Sequence, residues 1–137
     1  MKSLRTLLKL ARRDLETLRR ALAEQIARQT ALQDRILGHE QTIKDEQRAA
    51  LRDYESGRAY GGYAAAALAV RRALAAEHES AGAEINRLRA LVAEAHVETR
   101  KFERLIELEE ARLKVQREKR EDAALDEMAT MRLGRRP

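Results

Sequence analysis

The sequence predicts an all-α fold: two long helices forming an antiparallel coiled-coil hairpin, with the turn near Gly57–Gly62. Three observations predict it. Apolar residues recur at alternating spacings of three and four through both halves of the chain, which is the mark of a coiled-coil seam. Three of the six glycines fall within Ser56-Gly57-Arg58-Ala59-Tyr60-Gly61-Gly62-Tyr63, near the middle of the 137 residues. Charged residues make up 37% and aromatics 3%, and the single proline is the last residue, Pro137, a balance that suits long helices rather than a globular core. The expected layout is one hairpin over residues 1–137: helix 1 about 3–56, turn 57–62, helix 2 about 63–130 and a frayed tail 131–137.

The first arm carries its seam at Met1, Leu4, Leu8, Ala11, Leu15, Leu18 and Leu22, then at Leu32, Ile36, Ile43 and Ala50. Gln25, Gln29, His39, Glu46 and Asp53 interrupt it. A buried Leu contributes roughly 1.5–3 kcal/mol, so these polar positions weaken the seam toward the tip. They either set register on a wet, open hairpin or mark a part meant to open or bind something. Glu16/Arg20, Glu24/Arg28 and Glu40/Lys44 are acid-to-base pairs one turn apart, in the order that supports a solvated helix.

The tip rests on glycine. It accepts φ > 0 and costs about 1 kcal/mol in a helix interior relative to Ala, so three in six residues mark a break. Tyr54, Tyr60 and Tyr63, all the tyrosines of the chain, cluster there. Such tyrosines can cap the end of a small seam, or act as interface anchors with an apolar body and a polar end.

Helix resumes at Tyr63, and Ala64-Ala65-Ala66-Ala67 favours it strongly. The second seam reads Tyr63, Ala67, Val70, Leu74, Ala81, Ile85, Leu88, Val92, Ala95, Phe102, Ile106 and Leu113, with Gly82 tolerated within it. Leu105 and Leu108 form a second apolar line. After Val115 the pattern thins into a charged run, and this arm outruns the first, so part of the C-terminus projects beyond the hairpin.

The net charge is +5, and it is uneven. Residues 1–20 hold seven basic groups against Asp14 and Glu16, a net of +5, and Arg132, Arg135 and Arg136 end the chain. A hairpin brings both basic ends to one pole, suited to an acidic protein surface, anionic lipid or nucleic acid. There is no cysteine, hence no disulfide and no thiolate metal site. No apolar run approaches the roughly 18–20 residues of a membrane span, and the charges of the first nine residues are too close together for a signal peptide. The expected location is cytoplasmic, soluble or peripheral to a membrane.

No phosphate-binding glycine loop, zinc-protease helix or calcium loop occurs, and Ser3, Ser56 and Ser80 have no His/Asp arrangement around them. Every carboxylate sits in a mixed-charge helical face. No enzyme activity, cofactor or metal is expected. His39 and His78 come near each other if the turn lies near residue 59, but two histidines do not close a metal shell, and polar seam residues are the plainer reading. The basic pole lacks stacking aromatics for nucleic acid.

The chain resembles the FliJ family, the small coiled-coil component of the bacterial flagellar type III export apparatus. Length, hairpin layout and central break carry the resemblance over essentially the whole chain. Its sharpest part is Lys101-Phe102-Glu103-Arg104-Leu105-Ile106-Glu107, followed by the charged run Arg117–Asp122 and the closing Leu125-Asp126-Glu127-Met128-Ala129. The basic, Leu-rich start Leu4-Arg5-Thr6-Leu7-Leu8-Lys9-Leu10 also fits. The resemblance implies a non-enzymatic stalk. Its terminal end enters and stimulates the hexameric export ATPase, its tip side contacts the cytoplasmic domain of the export gate, and it also binds export chaperones. It further implies a place at the flagellar base, on the inner face of the cell membrane and held there through partners. On this sequence the ATPase contact falls on Leu4, Arg5, Leu8, Arg12, Arg13, Phe102, Leu105 and Leu108. The gate contact falls on Ile43, Gln47, Ala50 and Tyr54, and on Tyr63, Ala66, Val70 and Ala73, with Ala66 standing where other members carry a larger aromatic. Stalk proteins of virulence-type secretion systems share the layout. From the residues alone, two further readings remain: a basic coiled coil that binds nucleic acid, and a structural homodimer of continuous helices.

Overall fold

The computed structural model describes residues 2–135, which form two helices, α1 (Lys2–Arg52) and α2 (Tyr54–Gly134). They pack against each other as an antiparallel hairpin. Met1, Arg136 and Pro137, expected in the seam and the tail, lie outside the described residues.

The break falls at Asp53, one turn before Gly57, and the glycine stretch is helical. Asp53 explains the position. Its Oδ1 accepts the backbone N–H of Glu55 at 3.2 Å and its Oδ2 accepts the Ser56 hydroxyl at 3.4 Å, while its backbone carbonyl accepts the Gly57 N–H at 3.0 Å. That is an N-cap, which satisfies donors that the first turn leaves orphaned, and Glu55 adds negative charge at the positive end of the helix. No glycine takes a positive φ. Gly57 serves close approach instead: a Cβ there would lie 3.0 Å from the Ala50 carbonyl oxygen. Helix 1 therefore ends at Arg52 rather than 56, and helix 2 begins at Tyr54 and runs to Gly134, through much of the expected frayed tail. Asp53→Ala is expected to cost about 1 kcal/mol in thermal unfolding and Asp53→Asn very little. Equal losses in the two would remove the cap as the cause.

The chain divides into two compact units, Glu16–Ala93 and Met1–Leu15 with Glu94–Pro137. In the first, α1 faces inward through Leu18, Leu22, Gln25, Gln29, Leu32, Ile36, His39 and Ile43. Leu32, Leu74 and Ala81 form the core, with Ile36 packed against them. His39 Nε2 lies 2.9 Å from the Ala67 carbonyl oxygen, so this seam histidine is used structurally.

Two seam assignments are corrected: Tyr63, like Val70, falls at g. The frame set by Ala81, Ile85 and Leu88 runs back through His78, Leu74, Arg71, Ala67, Ala64 and Tyr60 without a skip. With d at Ala67, Leu74 and Ala81, the intervening a position is Arg71, and Val70 moves to g, where it is 47% exposed. The alanine run hid this phase, because small side chains mark no stripe.

In the second unit, Leu8, Ala11 and Leu15 of α1 are buried, while Phe102 and Ile106 of α2 are half-buried. Thr99 is also buried, in a seam position that its polarity disguises, and its hydroxyl donates to the Ala95 carbonyl at 2.9 Å. Arg5 lies 3.6 Å from Glu110 and Arg12 3.5 Å from Glu103. Seven residues forward on α1 are answered by seven backward on α2, which is antiparallel heptad register. Past that point α2 continues alone. Every described residue from 111 to 135 is exposed, including Leu113, so about 35–40 Å of helix is buried against no other helix.

Candidate partner-binding surfaces

Long helices with a single seam offer surfaces rather than pockets, so burial decides which side chains are available to a partner. In the terminal unit, Leu4 is half-buried and Leu8 buried, and with Phe102 they belong to the seam. Arg5 and Arg12 occupy e positions and reach Glu110 and Glu103, also at e, so one flank of this hairpin end is laced by cross-helix ion pairs. Glu103 also pairs with Arg100 at 2.9 Å. Arg13, at an f position, is exposed. Leu105 and Leu108 are 40% and 50% exposed. Two leucines of the Leu-rich start that lie outside the expected ATPase contact share this exposure, Leu7 at 43% and Leu10 at 48%. Their three-residue spacing, repeated at 105 and 108, was the available signal.

Further charge pairs lie on the surface of α2. Lys101 Nζ sits 2.7 Å from Glu98 and 4.7 Å from the Phe102 ring centre, a cation–π contact. Arg87 holds the Glu84 carboxyl below its usual range, chiefly by hydrogen bonding, and Arg112 does the same for Glu109. These depressed carboxyls support the helix above the ordinary carboxylate range, and that support is lost as pH falls through their lowered values. Glu84→Gln is therefore expected to flatten the acid limb of a helicity-versus-pH curve slightly, and an unchanged limb would refute this.

At the tip, Ile43 of α1 and Tyr60, Tyr63, Ala64, Ala67, Leu68 and Arg71 of α2 line a shallow groove. Tyr60 and Tyr63 stack at a tilt of 36°, ring centres 6.1 Å apart. Partial burial pushes the Tyr63 phenol up, with the Glu46 carboxylate and Tyr60 adding to the shift. Tyr54 does not join the other two. It stands 82% exposed beside the break, and Leu51, which the seam reading also passed over, is 88% exposed. Ile43 and Tyr63 are thus brought together. Tyr63, Ala66, Val70 and Ala73 fall on one flank of α2 by their g and c positions, Gln47 is exposed, and Ala50 is half-buried near Gly57.

Over residues 1–137, the whole chain, the sequence matches the family model described as Flagellar FliJ protein. The chain belongs to the FliJ family. No curated protein and no solved structure gives a match. FliJ membership makes the chain a component of flagellar export. Among the described residues of this FliJ-family chain, no helix is long and apolar enough to cross a membrane, and no group of three or more His, Asp or Glu is placed to hold a metal ion.

Proposed function

We propose that this chain is the central stalk of the flagellar type III export apparatus. It binds and stimulates the hexameric export ATPase through its terminal end, and its tip couples that ATPase to the cytoplasmic domain of the export gate. The observation that carries the reading, beside family membership, is the terminal unit itself. There a basic α1 start packs on α2 with the ion pairs Arg5–Glu110 and Arg12–Glu103 across one flank, and α2 continues past it as a bare helix. A stiff, charged projection of this kind suits insertion into a ring. Leu4, Arg5, Leu8, Arg12, Arg13, Phe102, Leu105 and Leu108 make up the ATPase-facing end, with the seam members holding its shape.

The gate contact uses Ile43, Gln47, Ala50 and Tyr54 with Tyr63, Ala66, Val70 and Ala73. Its support is the common flank of the last four and the exposure of Tyr54. Export chaperones are further partners, and the protein works at the flagellar base, peripheral to the inner face of the cell membrane through those partners.

The test is ATP hydrolysis by the cognate export ATPase with and without this chain. Saturable stimulation is expected, and Arg12→Glu with Arg13→Glu is expected to remove most of it. Adding Glu103→Arg to Arg12→Glu restores the cross-helix pair but not the cation at position 12. Full recovery in that double variant would mean that Arg12 acts through the hairpin, and no recovery that it meets the ring directly. Absence of both stimulation and co-elution would sink the stalk reading.

A further inference from the structure

The first turns of α1 carry cations where helix physics disfavours them. Elsewhere α2 sets acid against base one turn apart, as at Glu84–Arg87, Glu98–Lys101 and Glu109–Arg112. Residues 2–13 instead set cation against cation: Lys2 with Arg5, Arg5 with Lys9, and Lys9 with Arg12 and Arg13, each three or four residues apart. Like charges at these spacings weaken a helix, and the first turn, at the positive end of the helix dipole, holds no acidic residue. The five cations share one arc. In the frame that puts Leu4 and Ala11 at d, they fall at b, e, b, e and f, all exposed, while Asp14, the first carboxylate of the chain, falls at g on the other flank. The facing part of α2 does not neutralise them. Over residues 2–13 and 100–110, the b, e and f positions hold seven cations, Arg100 and Arg104 included, against Glu103, Glu107 and Glu110, a net of +4. Glu110 and Glu103 reach Arg5 and Arg12 only at 3.6 and 3.5 Å, and those arginine side chains stay 65% and 60% exposed. Among the described residues, no ion pair reaches Lys2 or Lys9. Arg5, Lys9 and Arg12 wall a shallow groove of about 420 Å³ over Leu8 and Ile106, with Glu110 across it.

We infer that this arc binds the anionic surface of a membrane directly, taking phosphate-bearing lipid headgroups along Lys2, Lys9 and Arg13 and in the groove beside Lys9. A negatively charged leaflet attracts clustered Lys and Arg, and it relieves the repulsion among cations that α1 otherwise carries. Three considerations favour lipid over other polyanions. Residues 2–15 hold no aromatic, Asn or Gln, so nothing there stacks on bases or reads adenine edges. Leu8 is buried and Ile106 half-buried, so the groove offers little apolar area to anchor a partner helix, and a polar headgroup needs none. A fluid sheet of headgroups imposes no spacing on its ligand, which suits a row of long, exposed side chains. In the stalk reading, membrane contact runs through partners. This contact is direct and peripheral, and it does not depend on that reading.

The test sediments the full chain with lipid vesicles. Saturable binding is expected to vesicles of about 30% phosphatidylglycerol in phosphatidylcholine and none to phosphatidylcholine alone, and raising the salt from about 50 to about 300 mM is expected to weaken it at least about tenfold. Lys2→Glu with Lys9→Glu is expected to weaken binding at least about tenfold. Both side chains are exposed and outside the ion pairs, so the hairpin is kept, which circular dichroism checks. Lys44→Glu with Arg48→Glu makes the same change in net charge on exposed residues of the other unit and is expected to leave binding within about twofold. Binding to neutral vesicles, indifference to salt, equal losses in the two variants, or tighter binding of duplex DNA or poly-glutamate than of the anionic vesicles would each overturn the proposal.

Discussion

Leu32→Ala is expected to destabilise the hairpin by about 2–5 kcal/mol in urea unfolding followed by circular dichroism. Leu32 is 3% exposed and packs with Leu74 at 5% and Ala81 at 0%, with Ile36 alongside. The loss has two parts, the transfer of a buried side chain back to water and the cavity it leaves. The second part is large here because the wall opposite includes Ala81, whose methyl cannot swing into the gap. A domain of this kind holds only about 5–15 kcal/mol in total, so one seam leucine is a sizeable fraction of it. Leu37→Ala is the control. Leu37 lies on the same helix but is 55% exposed, and its change is expected within about 0.5 kcal/mol. Similar midpoints for the two variants would mean that the seam between the arms does not hold the molecule together.

The first-arm seam was readable because Leu and Ile repeat at threes and fours against charged neighbours. Leu8, Leu15 and Leu32 are buried where the spacing put them. On the second arm the same rule slipped at Val70, since the alanine run gives no contrast between inward and outward positions and Arg71, the true a position, looks like surface. A long side chain can lay its aliphatic stem over an apolar groove and keep its charge in water, and Arg71 borders the groove around Ile43. The break was misplaced by one turn for a related reason. Glycine permits a turn, but Asp53 builds one by capping α2, and the glycines are then absorbed into helix, Gly57 alone among them passing close to α1. The partner surfaces were legible only in part. The resemblance points to Leu105 and Leu108, whereas the exposure of Leu7 and Leu10 shows only in the fold.

Gln25→Leu is expected to move stability the other way, by about 1–3 kcal/mol. Gln25 occupies a seam position of α1, and its Oε1 is buried without a hydrogen-bond partner. The native state carries the desolvation cost of that oxygen and gains no apolar burial in return. Leucine removes the first and adds the second. The neighbouring layer is different. Gln29 Nε2 lies 3.2 Å from where a Cβ on Gly82 would stand, so Gly82→Ala asks the flexible end of Gln29 to move slightly and recovers up to about 1 kcal/mol of helix propensity. The two changes therefore separate polarity from space as the reason this part of the seam is weak. A polar residue at a seam position can also hold register at a cost in stability, as a buried Asn does in other coiled coils. If Gln25 has that task, Gln25→Leu raises the unfolding midpoint and at the same time broadens the amide spectrum or promotes self-association in sedimentation. A higher midpoint with a sharp spectrum and a monomer means that Gln25 weakens the seam without specifying it. A midpoint that does not rise would show that the amide oxygen is satisfied in solution, and the polar layer would no longer count as the soft point of the arm.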